Sequence, residues 1–317
     1  MPAVLLKNIS KTYDKGQVKA VNNVSFDVEQ GELFGLIGPD GAGKTSIFRI
    51  LTTVLLADSG EAKVGELDVV KDYRAIRNKV GYMPGRFSLY QDLTVAENLQ
   101  FFATIFKTSI EANYALIKDI YEQIKPFNNR PAGKLSGGMK QKLALCCALI
   151  HKPEVLFLDE PTTGVDAVSR KEFWEMLRRL KQQGITIMVS TPYMDEASLC
   201  DRIALIQSGH IMSVDRPQTI IDRFPAPLYA AKSKDIYRLL KNFRSDTAVD
   251  SCYAFGEYLH MTLKDAHHTE AFIIERAAQY NAEDFEVKRI TPAIEDCFIY
   301  LMRETDVAKP NLNVQAP

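Results

Sequence analysis

The stretch GPDGAGKTS, which begins at Gly38, has the residue types and the spacing that bind the phosphates of a nucleotide. It fits the pattern G-x-x-x-x-G-K-[ST], in which glycines let the backbone turn its N–H groups onto phosphate oxygens. Gly41 and Gly43 add to that freedom, and the helix that follows points its positive end at the same anion. Lys44 would reach the β- and γ-phosphates, and the hydroxyl of Thr45 would hold Mg²⁺. The apolar strand before the stretch and the amphipathic helix after it favour this interpretation over a plain glycine turn.

Two carboxylates at the end of an apolar run could complete this chemistry. The run VLFLDE ends in Asp159 and Glu160. A carboxylate at the C-terminal end of a strand can coordinate Mg²⁺ directly or through water, which is the role expected of Asp159. Glu160 is placed to polarise an attacking water as a general base. Acidic residues often end strands, but this pair at this distance after a phosphate loop predicts a site that hydrolyses a nucleotide.

A second candidate anion site lies in the stretch LSGGMKQ (135–141). Ser136, Gly137 and Gly138 open a helical run, and the N-terminus of a helix binds anions. A single phosphate-loop domain has no obvious need for two such sites, so the simplest explanation is that this one serves the nucleotide of another subunit. Taken alone, the stretch is equally well explained as a serine-capped helix start.

The elements that must position these residues alternate along the chain. Strands are predicted at LLKNISKTY and NVSFDVEQGELFGLIG, and the last of them enters the phosphate loop. Residues 86–150 are mostly helical, and from residue 154 onward apolar strands alternate with helices. This order predicts an α/β domain over residues 1–222, with a parallel sheet covered by helices and a helical subdomain at about 86–150.

Pro225 and Pro227 mark a predicted domain boundary. Beyond them the patterns predict the order β-α-β-β-α-β, which is typical of a ferredoxin-like fold, followed by a short helix. A small α+β accessory domain is therefore expected over residues 226–303. The remaining residues, 304–317, are polar and contain proline, and they are predicted to be disordered.

The composition excludes several classes of function. The 317 residues, of which 46% are hydrophobic and 25% charged, are enough for two folded domains. A net charge of −1 provides no broad field for nucleic acid or anionic lipid. No apolar run approaches the roughly 20 residues that span a bilayer, and the N-terminus does not resemble a signal peptide. The five cysteines lack metal spacing and are expected to be thiols in a reducing cytosol.

Taken together, these motifs resemble those of the ATP-binding subunits of ABC transporters over roughly residues 3–220. The phosphate loop, the signature LSGGM, the run FLDEPT and the following TGVD occur in that family's order. The resemblance implies a P-loop NTPase with a RecA-like parallel sheet core, an antiparallel β subdomain and a helical insertion that faces membrane subunits. It also implies ATP and Mg²⁺ as ligands. Members of the family form head-to-tail dimers, in which each ATP lies between one subunit's phosphate loop and the other's signature.

The resemblance also assigns roles to individual residues. Tyr13, otherwise only an aromatic residue of a strand, would stack on adenine, and the loop Gly164–Asp166 would link the two sites of the dimer. Glu160 would be catalytic, whereas Thr45 and Asp159 would hold the metal. The implied nucleotide-binding residues are Tyr13, Gly38, Asp40, Gly41, Ala42, Gly43, Lys44, Thr45 and Ser46, together with Ser136, Gly137 and Gly138 of the signature.

Two other stretches narrow the resemblance to a subfamily. The C-terminal part, with ITPAIEDCFIYLM at 290–302, resembles the extension on the ATPases of ABC-2-type drug and antibiotic exporters. Three motifs are similar to those in the amino-terminal half of tandem-ATPase drug exporters of the bacterial envelope: GPDGAGKT, LSGGMKQKL and VSTPYMDEA.

Two positions depart from the family pattern. Gly85 stands where the family usually has a glutamine, whose amide touches Mg²⁺ and the attacking water and couples the site to the membrane subunits. Pro192 stands where relatives carry a histidine that contacts the γ-phosphate and orients the water and Glu160. Proline has neither a side-chain donor nor a backbone N–H, and loss of one such donor typically costs about 10²–10³ in rate. The chain is therefore predicted to bind ATP but to have an impaired, degenerate hydrolytic site, although the retained Glu160 favours some turnover.

The leading prediction is an ATP-binding subunit of an ABC-2-type export system, which couples ATP binding and hydrolysis to transport through separate permease subunits. It would lie peripherally on the cytoplasmic face of the membrane. A heterodimer with a second ATP-binding subunit is favoured, because a homodimer would contain two impaired sites. The alternative is a non-hydrolysing structural or regulatory half of a heterodimeric ATPase. A DNA-repair or chromosome-structuring ATPase is disfavoured, because the interval of about a hundred residues between phosphate loop and signature lacks sustained heptads; no nucleic-acid partner is expected.

Overall fold

A six-stranded sheet forms the centre of the first of two units into which the chain divides. The computed structural model describes residues 1–85, 89–265 and 267–307, and the first unit spans Met1–Pro217. Its strands are β1 (Val4–Tyr13), β2 (Val18–Val28), β3 (Leu33–Ile37), β4 (Ser59–Val64), β5 (Leu67–Asp68), β6 (Val80–Met83), β7 (Val155–Asp159), β8 (Thr186–Thr191), β9 (Arg202–Gln207) and β10 (His210–Asp215). Its helices are α1 (Lys44–Leu51), α2 (Tyr73–Lys79), α3 (Val95–Ile105), α4 (Tyr114–Ile124), α5 (Gly137–Leu149) and α6 (Ala167–Gln182).

The strand order of the large sheet is β10-β9-β3-β8-β7-β6, with β10 antiparallel to β9 and the other neighbours parallel. Strands β3, β7 and β8 are buried along their whole length. Both faces of a parallel sheet are covered, which is why these strands are nearly continuous apolar runs. A second sheet is antiparallel and has the order β2-β1-β4-β5. The predicted parallel core and antiparallel β subdomain are therefore confirmed.

Helix α1 packs on this core through aromatic contacts. The rings of Phe48 on α1 and Phe157 on β7 meet edge to face with centroids 6.0 Å apart, and both side chains are fully buried. Such a pair adds to the stabilisation from burial alone. The contact fixes the start of α1, and so the phosphate loop, relative to the strand that ends in Asp159.

Helices α3, α4 and α5 form the predicted helical insertion. Thr94 caps α3 by accepting a hydrogen bond from the backbone of Glu97, whose carboxylate accepts one from the backbone of Thr94 in return. This capping box satisfies two donors at the helix start. Helix α4 buries Ile117, Ile120 and Ile124. In the described ranges of the chain, no helix is both long enough and apolar enough to cross a membrane.

The second unit begins at Gln218 and contains a four-stranded antiparallel sheet. Its elements are α7 (Pro217–Asp222), whose first residue belongs to the first unit, β11 (Leu228–Lys232), α8 (Ile236–Ser245), β12 (Val249–Phe255), β13 (Tyr258–Leu263), α9 (Glu270–Gln279), β14 (Glu286–Ile290) and α10 (Ile294–Val307). The strand order β12-β13-β11-β14 is that of a ferredoxin-like fold. The predicted fold of this part is therefore confirmed.

The two faces of this second sheet are covered differently. Leu239 and Phe243 of α8 and Ile273 of α9 pack against apolar side chains of one face. Helix α10 contributes the buried Asp296. Its Oδ1 accepts a hydrogen bond from the hydroxyl of Tyr253, at 2.6 Å, and is also hydrogen-bonded to Nδ1 of His260, at 2.7 Å. Burial opposes ionisation of Asp296, but the hydrogen bonds from His260 and Tyr253 lower its pKa overall.

The ends of this unit differ from the sequence-based boundaries. The sequence patterns placed residues up to 222 in the first domain, but α7 belongs to the second unit from Gln218 onward. Within that unit the carbonyl oxygen of Ile220 on α7 lies 3.8 Å from the thiol of Cys297 on α10. Helix α10 continues to Val307, so the predicted disordered tail does not begin at residue 304. Within α10, Tyr300 donates a hydrogen bond to Glu304 one turn on. The rest of the predicted tail, 308–317, lies outside the described residues.

All five cysteines are buried, free thiols, as expected from their spacing. Burial raises the pKa of Cys252 and of Cys297 to about 12. A thiol with so high a pKa is protonated at neutral pH and a poor nucleophile.

Candidate functional site

The sequence motifs meet at the carboxyl ends of four neighbouring strands. The phosphate loop follows β3, Pro192 follows β8, Glu160 follows β7, and Gly85 comes two residues after β6. These strands are adjacent in the order β3-β8-β7-β6 and run parallel. Parallel strands end at one edge of the sheet, where ligands of open α/β sheets bind. Residues more than 100 positions apart along the sequence therefore share one site.

Two glycines of the phosphate loop are required by the backbone. A Cβ atom at Gly38 would lie 2.1 Å from the carbonyl oxygen of Ile206, and one at Gly43 would lie 2.1 Å from that of Ala20. Gly43 also has a φ of 104°, which side-chain-bearing residues rarely adopt. It precedes the first residue of α1, so the loop amides stand at a helix N-terminus. The loop has the form that holds an anion.

The other loop residues differ in exposure. Asp40 and Gly41 are exposed to solvent, whereas Ala42 and Ser46 are buried. Asp40 is thus at the rim of the loop, and the backbone of Ala42 is held by a hydrogen bond from the backbone N–H of Gly209 to its carbonyl, at 3.0 Å.

Lys44 is buried and already directed towards the loop. Its ammonium donates hydrogen bonds to the carbonyls of Gly38, at 2.7 Å, and Pro39, at 3.0 Å. It also lies 3.2 Å from Oε1 of Glu160. With only 3% of its side chain exposed, this cation needs such partners. Lys44 therefore joins the phosphate loop to the carboxylate after β7.

Asp159 and Thr45 form an oxygen-rich corner beside the loop. The Thr45 hydroxyl donates to Oδ1 of Asp159 at 3.2 Å, and the Ser190 hydroxyl donates to the same atom at 2.6 Å. Carboxylate and hydroxyl oxygens suit Mg²⁺, which keeps several waters and needs few protein ligands. Within the described residues, no cluster of three or more His, Cys, Asp or Glu forms an all-protein metal site. The corner fits Mg²⁺ held by one or two side chains.

Glu160 has an unusual backbone conformation that Ser190 supports. Its φ is 52°, in the left-handed region that few non-glycine residues occupy. Its backbone N–H donates to both the hydroxyl oxygen of Ser190, at 2.9 Å, and the carbonyl of Ser190, at 3.1 Å. Residues in such conformations persist only where the surroundings hold them, and they cluster at functional sites.

Gly85 lies directly against the backbone of Asp159 and Glu160. A Cβ atom at position 85 would be 3.0 Å from the carbonyl oxygen of Asp159 and 3.9 Å from Cβ of Glu160. A small cavity of about 130 Å³ opens between them, and its lining residues are Met83, Pro84, Gly85, Leu89, Gln91, Lys140, Gln141 and Glu160. Gly85, where the sequence resemblance implies a glutamine, is thus part of the site. The following residues, 86–88, lie outside the described part of the chain.

Tyr13 reaches the phosphate loop from the antiparallel sheet. It ends β1, and its hydroxyl lies 3.1 Å from Oγ of Ser46 on α1. The side chain is 37% exposed, so one part of the ring is accessible beside the loop. The fold therefore brings Tyr13 beside the phosphate loop, although Tyr13 lies 25 positions before Gly38 in the sequence.

The signature residues lie elsewhere in the first unit. Ser136 caps α5 by accepting a hydrogen bond from the backbone of Met139, at 3.4 Å. A Cβ atom at Gly138 would lie 2.7 Å from Oγ of Ser169, so α5 and the start of α6 approach closely. Across the described residues, no hydrogen bond joins 136–138 to 38–46. Ser136 and Gly137 are instead exposed.

Several site residues were not assigned from the sequence. Ser190 holds Asp159 and Glu160, and Glu196 accepts hydrogen bonds from the hydroxyls of Thr162, at 3.1 Å, and Thr191, at 2.5 Å. One feature of the sequence could have pointed to these residues: the apolar run IMVST ends in the polar pair Ser190 and Thr191. A polar residue at the end of a buried strand needs a hydrogen-bond partner, so the pair indicates polar contacts at this place.

A groove with an apolar lining lies beside the helical insertion in the same unit. Its volume is about 610 Å³. Three of its lining residues, Val54, Tyr90 and Ile105, are 61%, 50% and 54% exposed. Large exposed apolar side chains gathered in one groove are typical of a surface that binds another protein.

The sequence is similar to a protein family described as "ABC transporter", whose family model matches residues 21–163. Over 309 residues the chain is 34% identical to the probable multidrug ABC transporter ATP-binding protein YbhF of Escherichia coli (strain K12), with 94% of this chain and 52% of that protein covered. The chain thus spans about half the length of that relative. It is 41% identical over 219 residues to Nod factor export ATP-binding protein I of Burkholderia lata, with 68% of this chain and 71% of that protein covered.

Among solved structures, the fold is similar to a dimeric structure of the ATP-binding cassette MJ0796 in a post-hydrolysis state bound to ADP and Pi. The TM-score is 0.61 at 27% sequence identity, and the match covers 67% of this chain and 98% of that one. The similarity thus extends over about the length of the first unit.

Proposed function

The chain belongs to the ATP-binding proteins of ABC transporters, and from that premise we propose that it binds MgATP as the ATP-binding subunit of an ABC-2-type exporter. ATP with Mg²⁺ is the ligand of this family. The observation that carries the proposal is the meeting of the phosphate loop, Asp159 and Glu160 at the carboxyl ends of the parallel strands β3 and β7, which lie on either side of β8. The export role is inferred from the names of relatives, which include a multidrug transporter protein and a Nod factor export protein.

The proposed roles of the site residues follow from their positions. Lys44 and the loop amides bind the β- and γ-phosphates, and Tyr13 offers its exposed ring to the base. Thr45 and Asp159 hold Mg²⁺, which when bound neutralises charge on the phosphates. Glu160 accepts a proton from the attacking water. In the structure Glu160 lies 3.2 Å from the ammonium of Lys44, so phosphate oxygens would compete with this carboxylate for the same cation.

We propose that hydrolysis at this site is slow. Pro192 follows β8, which lies between the strand of the phosphate loop and the strand of Glu160, yet it offers no donor to a phosphate. Gly85 lies against Asp159 without an amide to place there. Binding of MgATP would survive, because Lys44, Thr45 and Asp159 remain.

The signature would act on a second subunit. Ser136 and Gly137 are exposed at the start of α5, as a surface that completes a partner's nucleotide site must be. The proposed partner is a different ATP-binding subunit with an intact site, because two copies of this chain would combine two impaired sites. The groove with Val54, Tyr90 and Ile105 is the proposed docking surface for the permease, which would hold the chain at the cytoplasmic face of the membrane.

A second candidate function is a non-hydrolysing half whose closure only reports bound nucleotide. Gly85 and Pro192 favour it, whereas the retained Glu160 favours turnover. Both candidates require MgATP binding, so they differ only in what Glu160 contributes.

The deciding experiment is ATP hydrolysis by the complex that co-purifies with the tagged chain from its native membrane, with and without Glu160→Gln. Glu154→Gln is the matched control, since Glu154 immediately precedes β7 and pairs with Lys79 at 2.8 Å. A collapse of the rate in Glu160→Gln alone would support hydrolysis at this site. An unchanged rate with MgATP still bound would favour the non-hydrolysing half, and failure of the chain to bind MgATP would refute both.

A further inference from the structure

A buried carboxylate behind the proposed catalytic loop has no role in the function described above. Glu196 lies in the short helical turn Met194–Leu199 and is only 1% exposed. Its Oε2 accepts hydrogen bonds from the hydroxyl of Thr162, at 3.1 Å, and from that of Thr191, at 2.5 Å. Both threonines are themselves buried. A carboxylate in such a place needs compensation for its lost hydration.

The second oxygen of Glu196 is only partly compensated. Oε1 is buried and has no hydrogen-bond partner among the residues that the structure describes. Among the described residues, the cation paired with Oε1 is Arg170 on α6, whose Nε lies 3.9 Å away, which is longer than a hydrogen bond. Arg170 also lies over the ring of Tyr193, with its guanidinium carbon 5.0 Å from the ring centroid, and 3.5 Å from Asp195. A shift of about 1 Å would give Oε1 a charged hydrogen bond.

Glu196 connects three segments that matter to the proposed reaction. Thr162 comes two residues after Glu160, whose φ of 52° must be held by its surroundings. Thr191 immediately precedes Pro192, and its hydroxyl oxygen also accepts a hydrogen bond from the backbone of Tyr193, at 3.1 Å. Thr191 thus ties this turn to the carboxylate of Glu196 through its hydroxyl, and the backbone N–H of Glu196 donates to the carbonyl of Tyr193 in the same turn, at 3.3 Å.

The third segment leads to the loop Gly164–Asp166. Arg170 is in the first turn of α6, and Asp166, which ends the loop Gly164–Asp166, caps that helix through the backbone of Val168 and Ser169. The backbone N–H of Arg170 donates to the carbonyl of Asp166, at 2.9 Å. A displacement of this loop would therefore move the start of α6 and, with it, the guanidinium facing Glu196.

We propose that Glu196 is a positioning residue that holds the loop of Glu160 through Thr162 and Thr191, and that Arg170 links this hold to the Gly164–Asp166 loop. The expected effect of Glu196 on the rate of hydrolysis rests on the proposed function. Its structural part, the hold on residues 160–163, does not depend on bound nucleotide. Glu196 touches neither phosphate nor water in this scheme, so it acts only through the conformation of Glu160.

The test is a comparison of Glu196→Gln with Arg170→Ala and Arg170→Lys in the full chain and in its membrane complex. Glu196→Gln keeps the shape and one acceptor but removes the charge. Thr162→Val and Thr191→Val remove each hydroxyl separately with little change in volume, in case Glu196→Gln does not fold. Glu154→Gln is again the control, because its exposed pair with Lys79 lies at the other end of β7. The measurements are amide hydrogen exchange over residues 160–165, in which every residue except Pro161 has an amide hydrogen, the Kd for MgATP, and kcat and KM.

The expected result is that Glu196→Gln and Arg170→Ala lose exchange protection at residues 160–165 by about tenfold or more, with Kd and KM within about twofold of wild type. The kcat falls by about tenfold or more, since misplacing a reacting group by about 1 Å can cost about 10²-fold. Arg170→Lys retains more activity than Arg170→Ala, and combining Arg170→Ala with Glu196→Gln adds little, because both break one connection.

Unchanged exchange in Glu196→Gln, or an equal change in Glu154→Gln, would overturn the proposal. A merely structural role would lower the melting temperature and weaken MgATP binding together, without the separation of kcat from KM, and this outcome would also overturn it. Failure of the wild-type chain to bind MgATP would refute the proposed function instead, and the exchange measurement would still decide the role of Glu196.

Discussion

Lys44 and Glu160 form an ion pair across the candidate site, with the ammonium 3.2 Å from Oε1 of the carboxylate. The same ammonium donates to the carbonyl of Gly38 at 2.7 Å. The residue proposed to bind phosphate and the residue proposed to activate water therefore contact each other directly. Any group that draws Lys44 away also changes the surroundings of Glu160.

This pair predicts that two substitutions affect nucleotide affinity differently. Lys44→Ala should raise the Kd for MgATP by about 10- to 100-fold, because it removes a charged hydrogen-bond donor worth about 1.5–3 kcal/mol. Glu160→Gln should leave the Kd unchanged or lower it by up to about tenfold, because a charged competitor for the ammonium is lost. Isothermal titration calorimetry on the two variants measures both values. Equal affinity of Lys44→Ala and wild type would contradict the proposed phosphate site.

Restoring a donor at position 192 should accelerate hydrolysis. Pro192 follows the strand between those of the phosphate loop and Glu160. Pro192→His adds an imidazole there, and a single donor to developing charge is worth about 10²–10³ in rate at an optimal position. A rise in kcat of about tenfold or more is expected, with little change in Kd. Pro192→Ala is the control, since it removes the ring without adding a side-chain donor; an equal gain in both variants would exclude the imidazole as the cause.

The two glycines of the signature should tolerate alanine differently. A Cβ atom at Gly138 would lie 2.7 Å from Oγ and 2.9 Å from Cβ of Ser169. Among the described residues, one at Gly137 would meet only the carbonyl oxygen of Gly164, at 3.5 Å. Gly138→Ala should therefore destabilise the first unit by about 1–3 kcal/mol. Gly137→Ala should leave the stability within about 0.5 kcal/mol of wild type. Chemical denaturation measures both, and similar losses in the two variants would contradict the close approach of α5 and α6.

The apolar groove predicts a loss of membrane association without a loss of nucleotide binding. Ile105→Glu places a charge on an exposed apolar residue of the groove, where a docked partner would have to desolvate it. The variant should no longer sediment with membranes that contain its transporter, while its Kd for MgATP stays the same. Val70→Glu is the control, because Val70 is 56% exposed but does not line the groove. Retention of both variants on the membrane would rule out this groove as the docking surface.

The buried Asp296 predicts an acid-sensitive second unit. Hydrogen bonds from His260 and Tyr253 lower its pKa below the ordinary 3.8 despite burial. A carboxyl with a depressed folded pKa contributes stability above its unfolded pKa, and this stability is lost as the pH falls through the folded value. The free energy of unfolding of the second unit should therefore decline below about pH 4. Asp296→Asn should lower this free energy by about 2–4 kcal/mol at neutral pH and make it less dependent on pH in the acid range. Glu257→Gln, in an exposed ion pair with Lys232, should leave the pH profile as it is. Acid unfolding followed at several pH values tests this, and an unaltered profile in Asp296→Asn would contradict it.

The sequence alone determined the fold class and the local chemistry of the motifs. The glycines around Lys44, the apolar run before Asp159 and the serine that caps α5 each form a contiguous pattern. Local backbone geometry dictates such patterns, so neighbouring residues suffice to recognise them. The period of apolar residues likewise indicated the alternation of strands and helices and the β-α-β-β-α-β order of the second unit.

The tertiary structure decided which of these residues meet. Strand β8 enters the sheet between β3 and β7, and only this order places Ser190 opposite Asp159 and its hydroxyl 2.6 Å from Oδ1. The approach of Gly85 to the carbonyl of Asp159, and the convergence of Thr162 and Thr191 on Glu196, arise in the same way. Strand order and register depend on contacts between residues far apart along the chain, and no local pattern in one sequence specifies them. For that reason the motifs could be named from the sequence, while the residues that hold Glu160 in place became visible only in the folded chain.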